Sequence, residues 1–262
     1  MINLAVIPAA GLGTRMKQIA HGKSKEILPL GGKEAIFYLL EEIVDSSINK
    51  GFIIINKNKL DIPKAILKSD YNEALVLSNA PFMVSIKGKS IEIVFVLQEV
   101  QLGLGHAIMQ VEPFVNEAFV VLLGDDIYRC DVPATKQLMQ AYEKANSDIV
   151  GVMEIPKGEI HKYGLVVPVK DNGQRLLELN DFIEKPIQCN IRPLSSLGRY
   201  VLTMDIFKEL SKNIIGINNE IQLTDAMKRL IDYKKVYSYT IEGKRFDIGN
   251  PSDYSFAAKT FK

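Results

Sequence analysis

The chain reads as an α/β protein with a doubly wound, mixed and mainly parallel sheet. Three observations lead there. Short apolar runs rich in Val and Ile recur through the first half, at Ile2–Ile7, Phe52–Ile55, Ile91–Leu97 and Phe119–Leu123. Continuous apolar runs of this length mark strands buried on both faces, as parallel strands are. Helix-periodic segments fall between or after them, at Glu34–Val44, His106–Val111 and Ala134–Lys144, and alternation of this kind favours a sheet wound by crossover helices. The size also suits: 262 residues, 47% hydrophobic and 24% charged, can enclose a full core. No linker, repeat or low-complexity tract divides the chain, so residues 1–262 are expected to form a single domain.

Taken in order, the first run ends at Pro8 and enters a glycine-rich turn, Ala9-Ala10-Gly11-Leu12-Gly13-Thr14-Arg15-Met16. The helix Glu34–Val44 and the strand Phe52–Ile55 follow, and then a stretch, Lys57–Ser90, with no clear periodicity. Beyond Lys144 the pattern is richer in strands: Ile149–Ile155, Leu165–Val169, Leu177–Ile183, Arg199–Thr203 and Val236–Ile241, with Gly and Asn turns between. One helix interrupts them, Asn218–Ile231, with Ile221, Met227, Leu230 and Ile231 on one face and Asn218 or Asn219 as N-cap.

Charge and cysteine content exclude several classes. Lys plus Arg number 32 against 31 Asp plus Glu, a formal net charge of +1. That leaves no basic excess to displace counterions from a nucleic acid, so phosphate binding has to rest on a few placed cations. No run of 18 apolar residues occurs, which argues against a membrane span. Leu4–Gly13 is apolar, but no Lys or Arg precedes it and Pro8 interrupts it, so a buried strand is expected there and not an export signal. Cys130 and Cys189 lie in no CxxC or Cys/His cluster and read as free thiols of a cytoplasmic, reducing compartment.

The glycine-rich turn is the first segment that carries chemistry. Gly11 and Gly13 directly after a buried strand let backbone N–H groups approach an anion, and Arg15 adds a forked cation. The Walker spacing GxxxxGK[ST] is absent, and Met16 stands where a dinucleotide-binding fingerprint needs a third glycine. By itself the turn suits a phosphate cradle and a plain tight turn equally. Asp125 follows the Phe119–Leu123 strand, and ligands of open α/β sheets bind at the carboxyl ends of strands. A carboxylate there suits Mg²⁺, which takes one or two carboxylates plus phosphate oxygens and water. The bland use of such an Asp is turn capping.

Val6–Leu30, with AAGLGTRM followed by Ser24-Lys25-Glu26-Ile27-Leu28-Pro29-Leu30, resembles the signature of the sugar-1-phosphate nucleotidylyltransferases. Further landmarks stand in that family's order: Gln98 with Leu102-Gly103-Leu104-Gly105-His106-Ala107, Gly124-Asp125-Asp126, Glu184-Lys185-Pro186, Glu220 to Ala226, and Phe246-Asp247-Ile248-Gly249-Asn250. Together they bracket nearly the whole chain, and they are most similar to the branch of bacterial and archaeal UTP–glucose-1-phosphate uridylyltransferases.

The resemblance implies a Rossmann-like nucleotidyltransferase fold with a smaller β-rich sugar-binding part. It implies transfer of a uridylyl group from UTP to a sugar 1-phosphate, with glucose 1-phosphate favoured and dTTP or another sugar as alternatives. It assigns Ala9, Ala10, Gly11, Gly13, Thr14, Arg15, Gln98, Gly103 and Asp126 to the nucleotide, and Gly164, Glu184, Lys185 and Gly198 to the sugar phosphate. Asp125 and Asp247 fall to Mg²⁺, the implied cofactor, while Arg15, Lys25 and Lys185 become the cations that act on the phosphates. A homo-oligomer is compatible with the family. These assignments agree with the residue chemistry. Gln98 offers a donor and an acceptor to a pyrimidine edge, and Gly103 leaves room beside it. Pro186 pushes Lys185 towards an extended conformation, so that Glu184 and Lys185 point to opposite sides. A phosphate monoester, with its second pKa of about 6, needs no general base, which suits a chain lacking a Ser-His-Asp or Cys-His arrangement. The competing class is a catalytically silent relative that binds nucleotide as a regulator. The two metal aspartates and three cations present here argue against it.

Overall fold

In the computed structural model, which describes residues 2–184, 186–188, 190–216 and 219–261, the strands are β1 (Leu4–Pro8), β2 (Pro29–Leu30), β3 (Lys33–Glu34), β4 (Lys50–Ile55), β5 (Pro81–Ile86), β6 (Lys89–Leu97) and β7 (Phe119–Leu122) in the first half. The rest are β8 (Asp126–Arg129), β9 (Ile149–Glu154), β10 (Leu165–Pro168), β11 (Leu176–Ile183), β12 (Leu194–Leu202), β13 (Tyr237–Thr240) and β14 (Lys244–Asp247). The helices are α1 (Lys17–Ala20), α2 (Ala35–Asp45), α3 (Asp61–Leu67), α4 (Glu73–Leu77), α5 (Leu104–Met109), α6 (Ala134–Ala145), α7 (Asp205–Leu210), α8 (Leu223–Ile231) and α9 (Pro251–Thr260).

Ten strands form one sheet, ordered β10-β11-β13-β9-β12-β7-β1-β4-β6-β5. Its centre is the parallel set β7, β1, β4 and β6, and these are the apolar runs of the first half. Side chains alternate across a strand. Ile53 and Ile55 of β4 therefore join Ile36, Leu39 and Ile43 of α2 on one face. Phe52 and Ile54 join Ile108 of α5 and Leu230 of α8 on the other. Both faces are buried, so a continuous apolar run was the right signal for these strands.

The expected parallel pairing is concentrated in that half, with one further parallel pair, β9 and β13, in the other. β12 runs antiparallel between β7 and β9, and β10, β11 and β13 pair antiparallel in turn. β5 and β6 form a hairpin that turns at Lys87 and Gly88, both in left-handed backbone with φ of 51° and 75°. A two-residue turn can join only antiparallel neighbours. This hairpin, with α3 and α4, occupies the segment that showed no periodicity: the exposed face of β5 lies at the sheet edge, and both helices are short.

The helix expected over Asn218–Ile231 is shorter. α8 starts at Leu223 with Gln222 as its N-cap residue, Asn219 adopts a left-handed φ of 60°, and Asn218 lies outside the described residues. Ile221 is buried but lies outside the helix. Its N–H donates to Leu102 O at 2.7 Å, and its carbonyl accepts from Gly105 N at 2.8 Å. A helix there would forfeit both bonds, and buried backbone groups are expensive to leave unpaired.

Beneath the sheet's carboxyl edge lies a buried ion pair. Arg199 of β12 donates from Nε and Nη2 to Glu42 of α2 at 2.9 and 2.8 Å, and from Nη2 to the Asp126 carbonyl at 2.8 Å. Thr135 donates to the same carboxylate through its N–H and hydroxyl. Burial opposes the charge on Glu42, but Arg199 and Thr135 hold its carboxyl below the usual glutamate range. Cys130 is a free cysteine, and Cys189 lies outside the described residues. Among the described residues no helix is long and apolar enough to cross a membrane.

Candidate active site

The glycine loop starts where β1 ends. Asn56, just past β4, donates from Nδ2 to Ala10 O at 2.5 Å and pins the loop to the neighbouring strand end. Gly13 takes a left-handed φ of 59°, and Met16 N closes on Gly13 O at 3.0 Å. A Cβ on Gly11 or Gly13 would meet nothing within 4 Å, so the backbone conformation, not crowding, calls for glycine at position 13. Met16 is buried and anchors the turn, which leaves Arg15 exposed with no ion-pair partner among the described residues.

This loop walls a cleft of about 470 Å³ whose lining includes Ala10, Gly11, Gly13, Thr14, Gln98 and Asp125. Most residues expected to hold the nucleotide thus face one space. Arg15 and Asp126 do not line it, and neither does Ala9: its N–H already donates to Ile54 O at 2.8 Å and its side chain is buried. As an extension of the β1–β4 ladder it cannot also cradle a phosphate, and that assignment is corrected. A second cavity of about 430 Å³ lies across the loop. Leu12 and Gly13 line both, and Lys17, Lys23 and Lys25 line the second.

Lys25 is placed by its neighbours in the sequence. Ser24 donates from its N–H and hydroxyl to Asp61 of α3 at 2.7 and 2.6 Å. Glu26, buried, accepts from Lys59 at 2.9 and 3.1 Å, and it packs where a side chain on Gly124 would come within 3.1 Å of its Cγ. With both flanks tied down, Lys25 Nζ reaches Asp125 Oδ2 at 2.5 Å. Burial works against the lysine's charge, yet Asp125, Glu26 and Asp126 together hold its pKa above the ordinary value. Asp125 in turn lies below the usual carboxylate range: burial opposes its charge, but Lys25 and Arg245 outweigh it.

Asp125 and Asp247, distant in sequence, meet at Gly249. A Cβ there would sit 2.7 Å from Asp125 Oδ2 and 3.1 Å from Asp247 Oδ1. The ribbon of β8 and β14 sets this up, with Asp126 opposite Asp247, and Ile248 N donates to Asp125 O at 2.8 Å. Gly249 N donates to Asp247 Oδ1 at 2.7 Å. Arg245, two residues before Asp247 and so on the same strand face, bonds Asp126 Oδ1 and reaches Asp247 Oδ2 at 3.2 Å. Sequence reasoning missed Arg245. The same spacing of two on a short strand ending in the Phe246-Asp247 landmark was the available signal.

Asp126 needs correction too. Its carboxylate is buried, bonded to Arg245, and packed so closely under Gly198 that a side chain on that glycine would run into it. Burial, with Asp125 and Asp247 nearby, pushes its pKa up to about 6 in spite of Arg245 and Arg199. It buttresses the acidic corner and does not line the cleft. Gly198, with φ 75°, also donates no room to a ligand at its Cβ position, because Asp126 fills it; its carbonyl instead accepts from Leu123 N at 2.8 Å.

Gln98 is buried at the end of β6. Its Nε2 lies 2.9 Å from His106 Nδ1 and 3.3 Å from Gly103 O. Gly103 has a φ of 99°, and a Cβ on it would meet Glu220 Cβ at 2.7 Å and Ile221 O at 2.9 Å. The glycine is therefore dictated by its backbone and by the Glu220–Ile221 segment, and it lines the cleft beside Gln98 as expected of a residue that leaves room there. Glu220, the first residue of the Glu220–Ala226 landmark, and Gln101 also line the cleft, and neither was given a role from the sequence.

Gly164 and Glu184 come together beside the first turns of α8. A Cβ on Gly164 would lie 3.0 Å from Glu184 Oε2, and both residues line a cavity of about 170 Å³ with Ser196 and Lys228. Lys185 lies outside the described residues. Among those described, no group of three or more His, Cys, Asp or Glu side chains could hold a metal by itself.

These features define a nucleotidyltransferase: the chain belongs to the nucleotidyl transferase family, which it matches over residues 4–262. It is 41% identical over 255 residues to a UTP–glucose-1-phosphate uridylyltransferase of Staphylococcus epidermidis, covering 95% of this chain and 88% of that protein. The crystal structure of a UDP-glucose pyrophosphorylase complexed with UDP-glucose superposes with a TM-score of 0.84 at 33% identity, covering 100% of this chain and 98% of the other. A UTP-bound enzyme of the same name from Acinetobacter baumannii gives 0.84 at 26% identity, with 100% and 93% covered.

Proposed function

We propose that this nucleotidyltransferase moves the uridylyl group of UTP onto glucose 1-phosphate, giving UDP-glucose and pyrophosphate. The observation that carries this reading is the convergence of Asp125 and Asp247 on one point, with Lys25 on Asp125, at the mouth of a cleft walled by the glycine loop and Gln98. The names of the relatives supply the two substrates.

In this reading the sugar-phosphate oxygen attacks the α-phosphorus in line. An O–P bond forms there as the α–β bridging bond breaks, and pyrophosphate leaves. The attacking monoester is already largely a dianion, since its second pKa is about 6, so the task of the protein is to align two anions that repel each other. N–H groups of the Gly11–Thr14 turn receive the phosphates, and Arg15, exposed beside them, meets charge on the leaving group. Lys25 neutralises Asp125 in the open site and can turn to a phosphate. Glu184 beside Gly164 receives sugar hydroxyls, with Lys185 next to it for the sugar's phosphate. Asp125 and Asp247 suit Mg²⁺: two hard oxygen ligands converge, and phosphate oxygens and water complete its preferred set. When bound, the ion would offset charge on the reacting phosphates.

The test is a matrix of NTPs against sugar 1-phosphates, read by pyrophosphate release with and without Mg²⁺. UTP with glucose 1-phosphate is expected to dominate, and turnover is expected to stop on chelation. Preferred use of ATP or GTP, or turnover unaffected by chelation, would overturn the reading.

A further inference from the structure

We propose that His106 is a positioning residue that locks the Gln98 side-chain amide in the orientation that reads uracil and rejects cytosine. The inference rests on the reading above, in which Gln98 meets the pyrimidine edge.

An amide nitrogen donates and cannot accept. The 2.9 Å contact between Gln98 Nε2 and His106 Nδ1 is therefore a bond only when Nδ1 carries a lone pair, with the ring proton on Nε2. Burial keeps the ring's pKa below the ordinary histidine value, which favours the neutral imidazole with one nitrogen free to accept. The Gly103 carbonyl, 3.3 Å from the same Gln98 Nε2, calls for the amide nitrogen and not its oxygen on that side. Gln110 Nε2 lies 3.5 Å from His106 Nε2, but it donates to the His106 carbonyl at 3.0 Å. The 3.5 Å approach is too long to compete for the tautomer.

The consequence falls on the base. Gln98 is 2% exposed and cannot swing away. One N–H is committed to His106, and the other is held only at 3.3 Å by the Gly103 carbonyl. That second N–H and the side-chain carbonyl form a donor–acceptor pair that complements O4 and N3–H of uracil. Turned over, the same amide would complement the amino group and N3 of cytosine. Turning it over would set the Gln98 oxygen against the Nδ1 lone pair and against the Gly103 carbonyl. His106, which does not line the cleft, would thus decide between the two bases through Gln98.

The test measures kcat/KM for UTP and for CTP, each with glucose 1-phosphate, in the wild type and in Gln98→Ala, His106→Leu and His106→Asn. The Asn amide oxygen can take the place of Nδ1 as acceptor. His106→Leu is expected to narrow the UTP-to-CTP preference by about tenfold or more, as unpairing a buried polar group does, while His106→Asn stays near wild type. If Gln98→Ala narrows the preference but His106→Leu does not, the His106 proposal fails and the Gln98 reading stands. If Gln98→Ala leaves the preference intact, the Gln98 reading itself fails. A measurement without substitution guards against an unfolded variant: long-range ¹⁵N–¹H correlation of the wild type should show the Nε2–H tautomer of His106, and the Nδ1–H tautomer would overturn the proposal.

Discussion

Two charged clusters lie one above the other at the carboxyl edge of the sheet, and they are built to opposite rules. The lower one, Glu42 with Arg199, is buried and balanced, and hydrogen bonds from Thr135 complete it. The upper one gathers Asp125, Asp126 and Asp247 around Lys25 and Arg245, with Asp125 and Asp247 partly exposed and Asp125 lining the cleft. A closed, neutral pair resists change and holds α2 to β12. An open corner with more carboxylates than cations can accept a further positive charge, which is the electrostatic condition for a metal ligand set. Exposure and charge balance, more than residue type, separate structure from chemistry here. The bridge between the clusters is short: Arg199 also bonds the Asp126 carbonyl.

Substitutions in the lower cluster should therefore cost stability, and those in the upper one activity. Glu42→Gln should show the largest effect, since it leaves Arg199 buried without its countercharge at a cost of about 3–5 kcal/mol, read by urea denaturation. The folded fraction should keep a kcat close to wild type; a large fall in kcat would break the distinction. The pH dependence has a definite sign. Glu42 is held below its ordinary pKa, so its contribution is present above the unfolded value and lost as pH falls through the folded one. The stability gap to Glu42→Gln should be full at pH 7 and close below about pH 4.

Asp125→Asn and Asp247→Asn come next. Each should lower kcat/KM by about a hundredfold or more and leave the urea midpoint nearly unchanged. Near wild-type turnover in either folded variant would remove that residue from the metal set. Arg245→Met probes the ground between the clusters, because it frees Asp126 and Asp247 without removing a carboxylate. Loss of such an orienting partner typically costs about ten- to a hundredfold in metal affinity or activity, so the Mg²⁺ concentration for half-maximal rate should rise. If only stability changed, Arg245 would belong to the lower cluster. Arg15→Ala should have the smallest effect, about a tenfold fall in kcat with little change in KM for UTP, if its cation acts on the leaving group. A change confined to KM would place it on ground-state binding.

How much of this could be read in advance depended on the distance over which a residue finds its partner. The central strands were legible because burial on both faces leaves a local imprint, a continuous apolar run. The Lys57–Ser90 hairpin and its short helices were not, since an edge strand is only half buried and its pattern is set by what packs on it. The Asn218–Ile231 helix was overextended for the same kind of reason. Its first residues carry helix-compatible side chains, but Ile221 spends its backbone on Leu102 and Gly105, far away in sequence.

The site divides along the same line. The sequence by itself determined the glycine turn, the strand-end Asp125, the Gln98 and Lys25 landmarks and the family they resemble, because each is a contiguous string whose geometry is local. Tertiary structure alone decided that the Ala9 N–H extends a ladder, that the Asp126 carboxylate pairs with Arg245, that Gly103 packs against Glu220 and Ile221, and that Arg245 and His106 stand within hydrogen-bond reach of Asp247 and Gln98. Those roles depend on which donors and acceptors are already paired. A side chain's chemistry is written in its own residue, whereas whether that chemistry is free for a substrate is settled by the neighbours the fold brings to it.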